Sequence, residues 1–120
     1  MTFDKLLDGI LDKVHGARGV VFLAQDGEIV YQCAQRKVTN LDLLAAYQGI
    51  TMTTCQRFAS DFGIGHISTV ILNYEAGACV LKLLNEGYIL MVSLDADGNI
   101  GQTMHLVNSV TDQLNAEIGY

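Results

Sequence analysis

Three cysteines, three histidines and a ladder of aspartates are the side chains of this protein with the chemistry to catalyse or to bind a metal. A thiol near an imidazole makes a nucleophile when the thiolate is activated, and Cys33, Cys55 and Cys79 could each meet His15, His66 or His105 in space. All three cysteines, however, sit inside runs that read as helix or strand, where a thiol is a small apolar core group and inert. Their odd number and scattered spacing make no disulfide frame. The histidines stand alone, with no HxxxH or HExxH pair and no CxxC, so the spacings of a zinc site are missing. His15 falls at the end of a predicted helix, where a cation suits the carbonyl-rich terminus. Asp4, Asp8 and Asp12 recur at helical spacing and read as a solvated helix face. Gly63-Ile64-Gly65 reads as a break between elements. No GxGxxG, GxxxxGK[ST] or GxSxG motif occurs. The expectation is a protein that is not an enzyme, with no catalytic residue, cofactor or metal.

Composition narrows the partner classes. The 120 residues carry a net charge of −6, whereas phosphate backbones demand a clustered Lys/Arg face. Arg36-Lys37 is the one basic pair, so nucleic acid is set aside. Half the residues are hydrophobic and 17% are charged, which argues for a folded core. No apolar run reaches the ~18 residues of a membrane span, and MTFDKLLDG has no basic start before a cleavable apolar core. The expectation is a single cytoplasmic domain over residues 1–120, without membrane insertion.

The stretch from Gly65 to Asn99 reads as three antiparallel strands, because short β-branched and aromatic runs alternate with tight Gly-containing connections. These are His66 to Tyr74, Ala78 to Asn85 and Tyr88 to Asp95. Tyr88 to Leu94 is apolar at almost every position, the mark of a strand covered on both faces. His66 to Tyr74 mixes in Ser68, Thr69 and Asn73, as an outer strand would. Upstream, Asp26-Gly27 separates two further strands and signals a hairpin whose central residues both take positive φ. Gly19 to Ala24 is continuously apolar and central; Glu28 to Ala34 alternates and belongs at an edge. Setting the two continuous strands side by side yields the spatial order 2-1-5-4-3.

Helices flank these strands. Over residues 2 to 15, Phe3, Leu6, Leu7, Ile10, Leu11 and Val14 keep the three-four spacing of one face, with Thr2 as cap and Gly16 as stop. Ile100 to Ile118 repeats the pattern at Ile100, Met104, Val107, Val110, Leu114 and Ile118, between Asn99 and Gly119. The segment Leu41 to Phe62, capped by Asn40, differs. Leu41, Leu44, Ala45, Gln48, Met52, Cys55 and Ala59 make one stripe. Leu43, Ala46, Tyr47, Ile50, Thr54 and Phe58 make a second, nearly opposite. A helix apolar on two sides is covered on both, and a chain this short has little left to cover the second. That stripe reads as a contact with another chain, and Gly49, costly in mid-helix, suits a close approach of helices or a bend. The alternative is a curved helix that buries both stripes internally.

The order helix, hairpin, long helix, three-stranded meander, helix resembles the roadblock/LC7 family over essentially the whole chain, with bacterial MglB-like members as the nearest group. The carriers are GVVFLAQDGEIVYQ (Gly19 to Gln32) and GYILMVSLDADGNIGQTMHLV (Gly87 to Val107). Longin and profilin-like domains share much of the topology. The resemblance implies an α+β fold, a five-stranded antiparallel sheet with one long helix on one face and two helices on the other. It also implies dimers in which the third strand pairs with its copy and the long helices pack side by side. Family members commonly bind or regulate Ras-like small GTPases, or act as scaffolds, with no fixed catalytic residue.

The resulting expectation is a non-catalytic dimeric regulator or scaffold, a homodimer or a heterodimer with a paralogue, that binds a Ras-like small GTPase. Leu43, Tyr47, Ile50 and Phe58, with His66, Ser68 and Val70 on the edge strand, are expected in or near the dimer contact. Asp42, Gln56 and Arg57 are candidate partner contacts. The rival readings are a small-molecule-sensing or enzymatic α/β domain and a purely structural subunit of a larger complex.

Overall fold

A computed structural model describes residues 3–35 and 38–119. The elements run α1 (Phe3–Lys13), β1 (Ala17–Leu23), β2 (Ile29–Ala34), α2 (Leu41–Asp61), β3 (Thr69–Tyr74), β4 (Gly77–Leu83), β5 (Ile89–Asp95) and α3 (Ile100–Ile118). A short 3-10 turn, Asn85–Gly87, joins β4 to β5. The strands form one antiparallel sheet in the order β2-β1-β5-β4-β3.

The two continuously apolar strands lie side by side at the centre, with Val20 opposite Val92 and Val21 opposite Met91. Their side chains alternate between two cores, so both faces must be apolar. On one face Val20, Phe22, Leu90 and Val92 pack with Leu7 and Ile10 of α1 and with Val107 and Leu114 of α3. On the other, Val21, Leu23, Leu81, Ile89 and Met91 pack with Leu41, Ala45 and Met52 of α2. Each fully buried Leu, Ile or Phe contributes about 1.5–3 kcal/mol relative to exposure. The long helix therefore covers one face and the two shorter helices cover the other.

Local chemistry shifts several boundaries. The first helix spans less than residues 2 to 15; Thr2, the expected cap, lies outside the described residues, as do Arg36 and Lys37. In the β1–β2 hairpin only Gly27 takes positive φ, at 89°, not both residues of the Asp-Gly pair. Gly27 N donates to the Ala24 carbonyl (2.9 Å) and Ala24 N to the Glu28 carbonyl (2.8 Å), so the loop is longer than a two-residue turn. Gly77 belongs to β4 itself. A Cβ there would collide with the Leu94 carbonyl of β5 beneath it, which explains the glycine.

At the other end of the sheet, the turn after α1 is laced to the start of α3. The Asn99 side chain caps α3 by accepting from Gln102 N at 2.8 Å. Gln102 in turn accepts from His15 N and donates to the Lys13 carbonyl, both at 2.9 Å. The His15 ring faces Asp97, 3.4 Å away. This histidine serves a joint between elements.

Candidate functional site

α2 is the element that presents surface. Asn40 stands at its start with left-handed backbone (φ 58°) and makes no side-chain cap, so it holds the predicted position without the predicted hydrogen bond. The helix then runs unbroken for 21 residues. Leu41, Ala45, Gln48, Met52 and Ala59 are buried against the sheet and Leu44 and Cys55 are half-buried, as the first stripe requires. Gln48 is the polar member, and its Oε1 finds no hydrogen-bond partner among the described residues.

The second stripe faces outward. Leu43 is 54% exposed, Tyr47 62%, Ile50 64% and Phe58 49%. No curvature of α2 buries them, which removes the internal-burial alternative. Three threonines of the helix bond to its own backbone. Thr51, Thr53 and Thr54 turn their hydroxyls back to the carbonyls of Tyr47, Gly49 and Ile50 at 2.9–3.2 Å. The apolar surface continues past the helix. Phe62 packs at a tilt on Phe58 with ring centroids 5.5 Å apart, and Phe62 and Ile64 are among the most exposed large hydrophobics. Sequence reasoning placed this loop as a simple break. Its signal was the apolar residue on either side of Gly63.

The two sheet edges are built differently. On β2, Phe22 pairs with Tyr31 and Leu23 with Ile29, so Val30 is an extra, bulged residue. A bulge twists an edge away from further pairing. β3 pairs with β4 through six consecutive residues without a register shift, and none of Thr69–Tyr74 is charged. The edge without a bulge is the β3 edge.

That edge is shorter than His66 to Tyr74. His66 and Ser68 precede β3 and lie outside its run of paired residues, although the Ser68 carbonyl still accepts from Leu83 N at 2.8 Å. Chain reversal after the Gly63 and Gly65 positive-φ positions delays pairing until this residue. Both side chains are exposed. Val70 is half-buried and packs into the core on the α2 side. Ile71, not singled out from sequence, is 45% exposed.

The structure does not bring Asp42, Gln56 and Arg57 together. Asp42, in the first turn of α2, borders a shallow cleft with Gln32 and Ala34 of β2. Arg57 borders a cleft of about 490 Å³ between α2 and the β1–β2 turn, with Asp26, Gly49 and Ile50. Gln56 lines an open cavity of about 810 Å³ on another flank, with Ser60, His66 and the β4–β5 connection. They border three separate depressions.

The Cys33 and Cys79 thiols are poor nucleophiles. Burial first, then the Asp8 carboxylate, pushes Cys33 up to about 12. Burial also pushes Cys79 up, and Tyr74 Oη lies 3.4 Å from its Sγ. Asp8 accepts from Tyr31 Oη at 2.9 Å, so the aspartate ladder is partly an anchor for β2. Among the described residues no three His, Cys, Asp or Glu side chains group as metal ligands, and no helix is long and apolar enough to cross a membrane.

Searched as a sequence, the chain matches no family model and no curated protein. Its fold is more informative. A Roadblock/LC7 domain from Streptomyces avermitilis superposes with a TM-score of 0.78 at 19% identity, covering 95% of this chain and 98% of that one. The chain has the roadblock/LC7 fold. MglB from Myxococcus xanthus is similar at TM-score 0.84 and 13% identity, over 95% of this chain and 85% of that chain. MglC from the same organism is similar at TM-score 0.69 and 27% identity, over 98% and 99%. LokiProfilin2, solved in complex with rabbit actin, is similar in fold at TM-score 0.58 and 13% identity. On this roadblock/LC7 frame, the outward stripe of α2 and the edge of β3 are the candidate interaction surfaces.

Proposed function

We propose that this roadblock/LC7-fold chain is a non-catalytic, dimeric regulator or scaffold that binds a Ras-like small GTPase. The observation that carries the reading is the exposure of Leu43, Tyr47, Ile50 and Phe58 on one face of α2. A folded monomer gains nothing from presenting four large apolar side chains in a row, and such patches mark contacts with other chains. The likeness to MglB and MglC supports a regulator of small-GTPase signalling, and one MglB structure has a tetrameric arrangement.

In this reading a second copy covers the α2 stripe and pairs along the β3 edge, with His66, Ser68 and Val70 in or beside the contact. Asp42, Gln56 and Arg57 are available to the GTPase from the flanks of α2. The pairing also disposes of an edge that would otherwise template aggregation.

The test is an affinity capture from the protein's own source lysate, with a GTP analogue and again with GDP, read by mass spectrometry. A Ras-like GTPase retained mainly with the analogue supports a regulator and sets hydrolysis as the next assay. Retention with either nucleotide supports a scaffold. Recovery of a large assembly without any GTPase overturns the GTPase reading in favour of a structural subunit.

A further inference from the structure

The face of the sheet away from α2 has a surface feature of its own. The end of α1 is tied to the start of α3, where Gln102 accepts from His15 N and donates to the Lys13 carbonyl. Away from that joint the two helices leave a cleft of about 320 Å³ between them. Its floor is apolar. Leu6 and Ile10 of α1 are buried there, and Leu106 and Val110 of α3 are half-buried.

Gly9 opens this cleft. It stands in the middle of α1, where glycine is less favourable than alanine. A Cβ at Gly9 would meet nothing within 4 Å, so no contact inside the chain calls for a glycine. The missing side chain leaves bare helix backbone along the cleft, which another chain can approach closely.

Charge is sorted across α1. Asp8 turns to β2, where it accepts from Tyr31 Oη at 2.9 Å. Lys5 and Lys13 border the cleft and no carboxylate does, in a chain with 13 Asp and Glu against 7 Lys and Arg. Among the described residues neither lysine is ion-paired. An apolar floor between two ammonium groups, on an otherwise acidic protein, has the opposite charge preference from the rest of the molecule.

We propose that the α1–α3 cleft docks an acidic amphipathic helix of a partner protein, with its apolar face on the cleft floor and its carboxylates against Lys5 and Lys13. Spacing sets the pattern of that helix. The two lysines are eight residues apart, about 12 Å along α1. A helix laid along the cleft reaches both with carboxylates two turns apart, at i and i+7, and sets apolar residues at i+3 and i+4 over Gly9. The floor selects for a helix with an apolar stripe, and the lysines select against a basic one. Two lysines are too few for a nucleic-acid backbone. The sheet separates this cleft from α2, so the site does not depend on the dimer or GTPase reading.

The probe is a fluorescein-labelled synthetic peptide of about 15 residues with a helix-stabilising lactam. It carries glutamates at i and i+7 and leucines at i+3 and i+4; its control carries lysines in place of both glutamates. Anisotropy titrations with the full chain are expected to show at least about tenfold tighter binding of the glutamate peptide. Backbone amide shifts in the nuclear magnetic resonance spectrum are expected to move within residues 5–13 and 106–113. The double variant Lys5→Glu with Lys13→Glu is expected to reverse the preference and favour the lysine peptide. Gly9→Leu fills the cleft with a good helix former. It is expected to keep or raise stability in urea while weakening the glutamate peptide at least about tenfold.

A glutamate peptide that does not bind at about 1 mM would overturn the proposal, as would equal affinity for the two peptides. A preference unchanged by the double variant, or amide shifts confined to α2, would place the acidic helix elsewhere and overturn it equally. An oligomer of the wild-type chain that dissociates in the double variant would assign the cleft to a second copy instead.

Discussion

Replacing Phe58 with Asp is the sharpest probe of the α2 surface. Phe58 is 49% exposed, and a phenylalanine side chain presents roughly 200 Å² when free, so about 100 Å² awaits cover by a second chain. At about 25 cal/mol per Å², covering it is worth roughly 2.5 kcal/mol per protomer, and a two-fold contact counts it twice. The upper bound is then about 5 kcal/mol, because association also immobilises both chains. Even half of that raises the dissociation constant close to a hundredfold, and the full value raises it more than a thousandfold. An aspartate adds the cost of removing a charge from water. The monomer loses little, since half the ring already meets solvent and its partner Phe62 is itself exposed. Sedimentation of wild type and Phe58→Asp between about 1 and 100 µM, with circular dichroism to confirm folding, measures the effect. A folded Phe58→Asp chain that still sediments as a dimer at about 10 µM would refute the placement of Phe58 in the contact.

Gly49→Ala is expected to stabilise the chain by about 0.5–1 kcal/mol in urea, because a Cβ there meets nothing within 4 Å and glycine is costly inside a helix; a loss of stability would mean that a second chain approaches this backbone closely. Gly77→Ala is expected to cost about 1–3 kcal/mol, since its methyl group must displace the Leu94 carbonyl of the adjacent strand. Alkali should destabilise the fold in a defined window. The Cys33 thiol rises from 9.0 to about 12 on folding, so its contribution is complete below pH 9 and is lost as pH climbs toward 12, where the unfolded chain has ionised first. Cys33→Ala should flatten that decline in urea titrations at successive pH values; an unchanged slope would assign it to the other raised groups, Cys79 and the Tyr31 and Tyr74 phenols, both phenols being pushed up to about 12.

Much of the fold was legible because the hydrophobic period carries it. The paired runs around Val20 to Leu23 and Leu90 to Val92 are apolar at successive positions, and only strands covered on both faces need that. Hairpin adjacency then ordered the sheet. The double stripe of α2 was legible for the same reason, and the structure leaves its second half uncovered. Where the reading slipped, the deciding contacts were non-local or depended on backbone shape. Asn40 sits at the cap in a left-handed conformation that takes its side chain away from the helix amides. The strand start moved from His66 to Thr69 because two positive-φ glycines govern the approach to β4.

The candidate contacts divide along the same line. Sequence by itself determined that α2 has two apolar faces and that the third strand is an outer one, because burial periodicity is a local property of side-chain order. Tertiary structure alone decided how the two edges of the sheet differ. The Val30 bulge and the uninterrupted β3 ladder arise from how one strand registers against another. It also set Gln56 and Arg57 beside different clefts, whereas Asp42 lies about 21 Å from them along the helix axis by its place in the sequence alone.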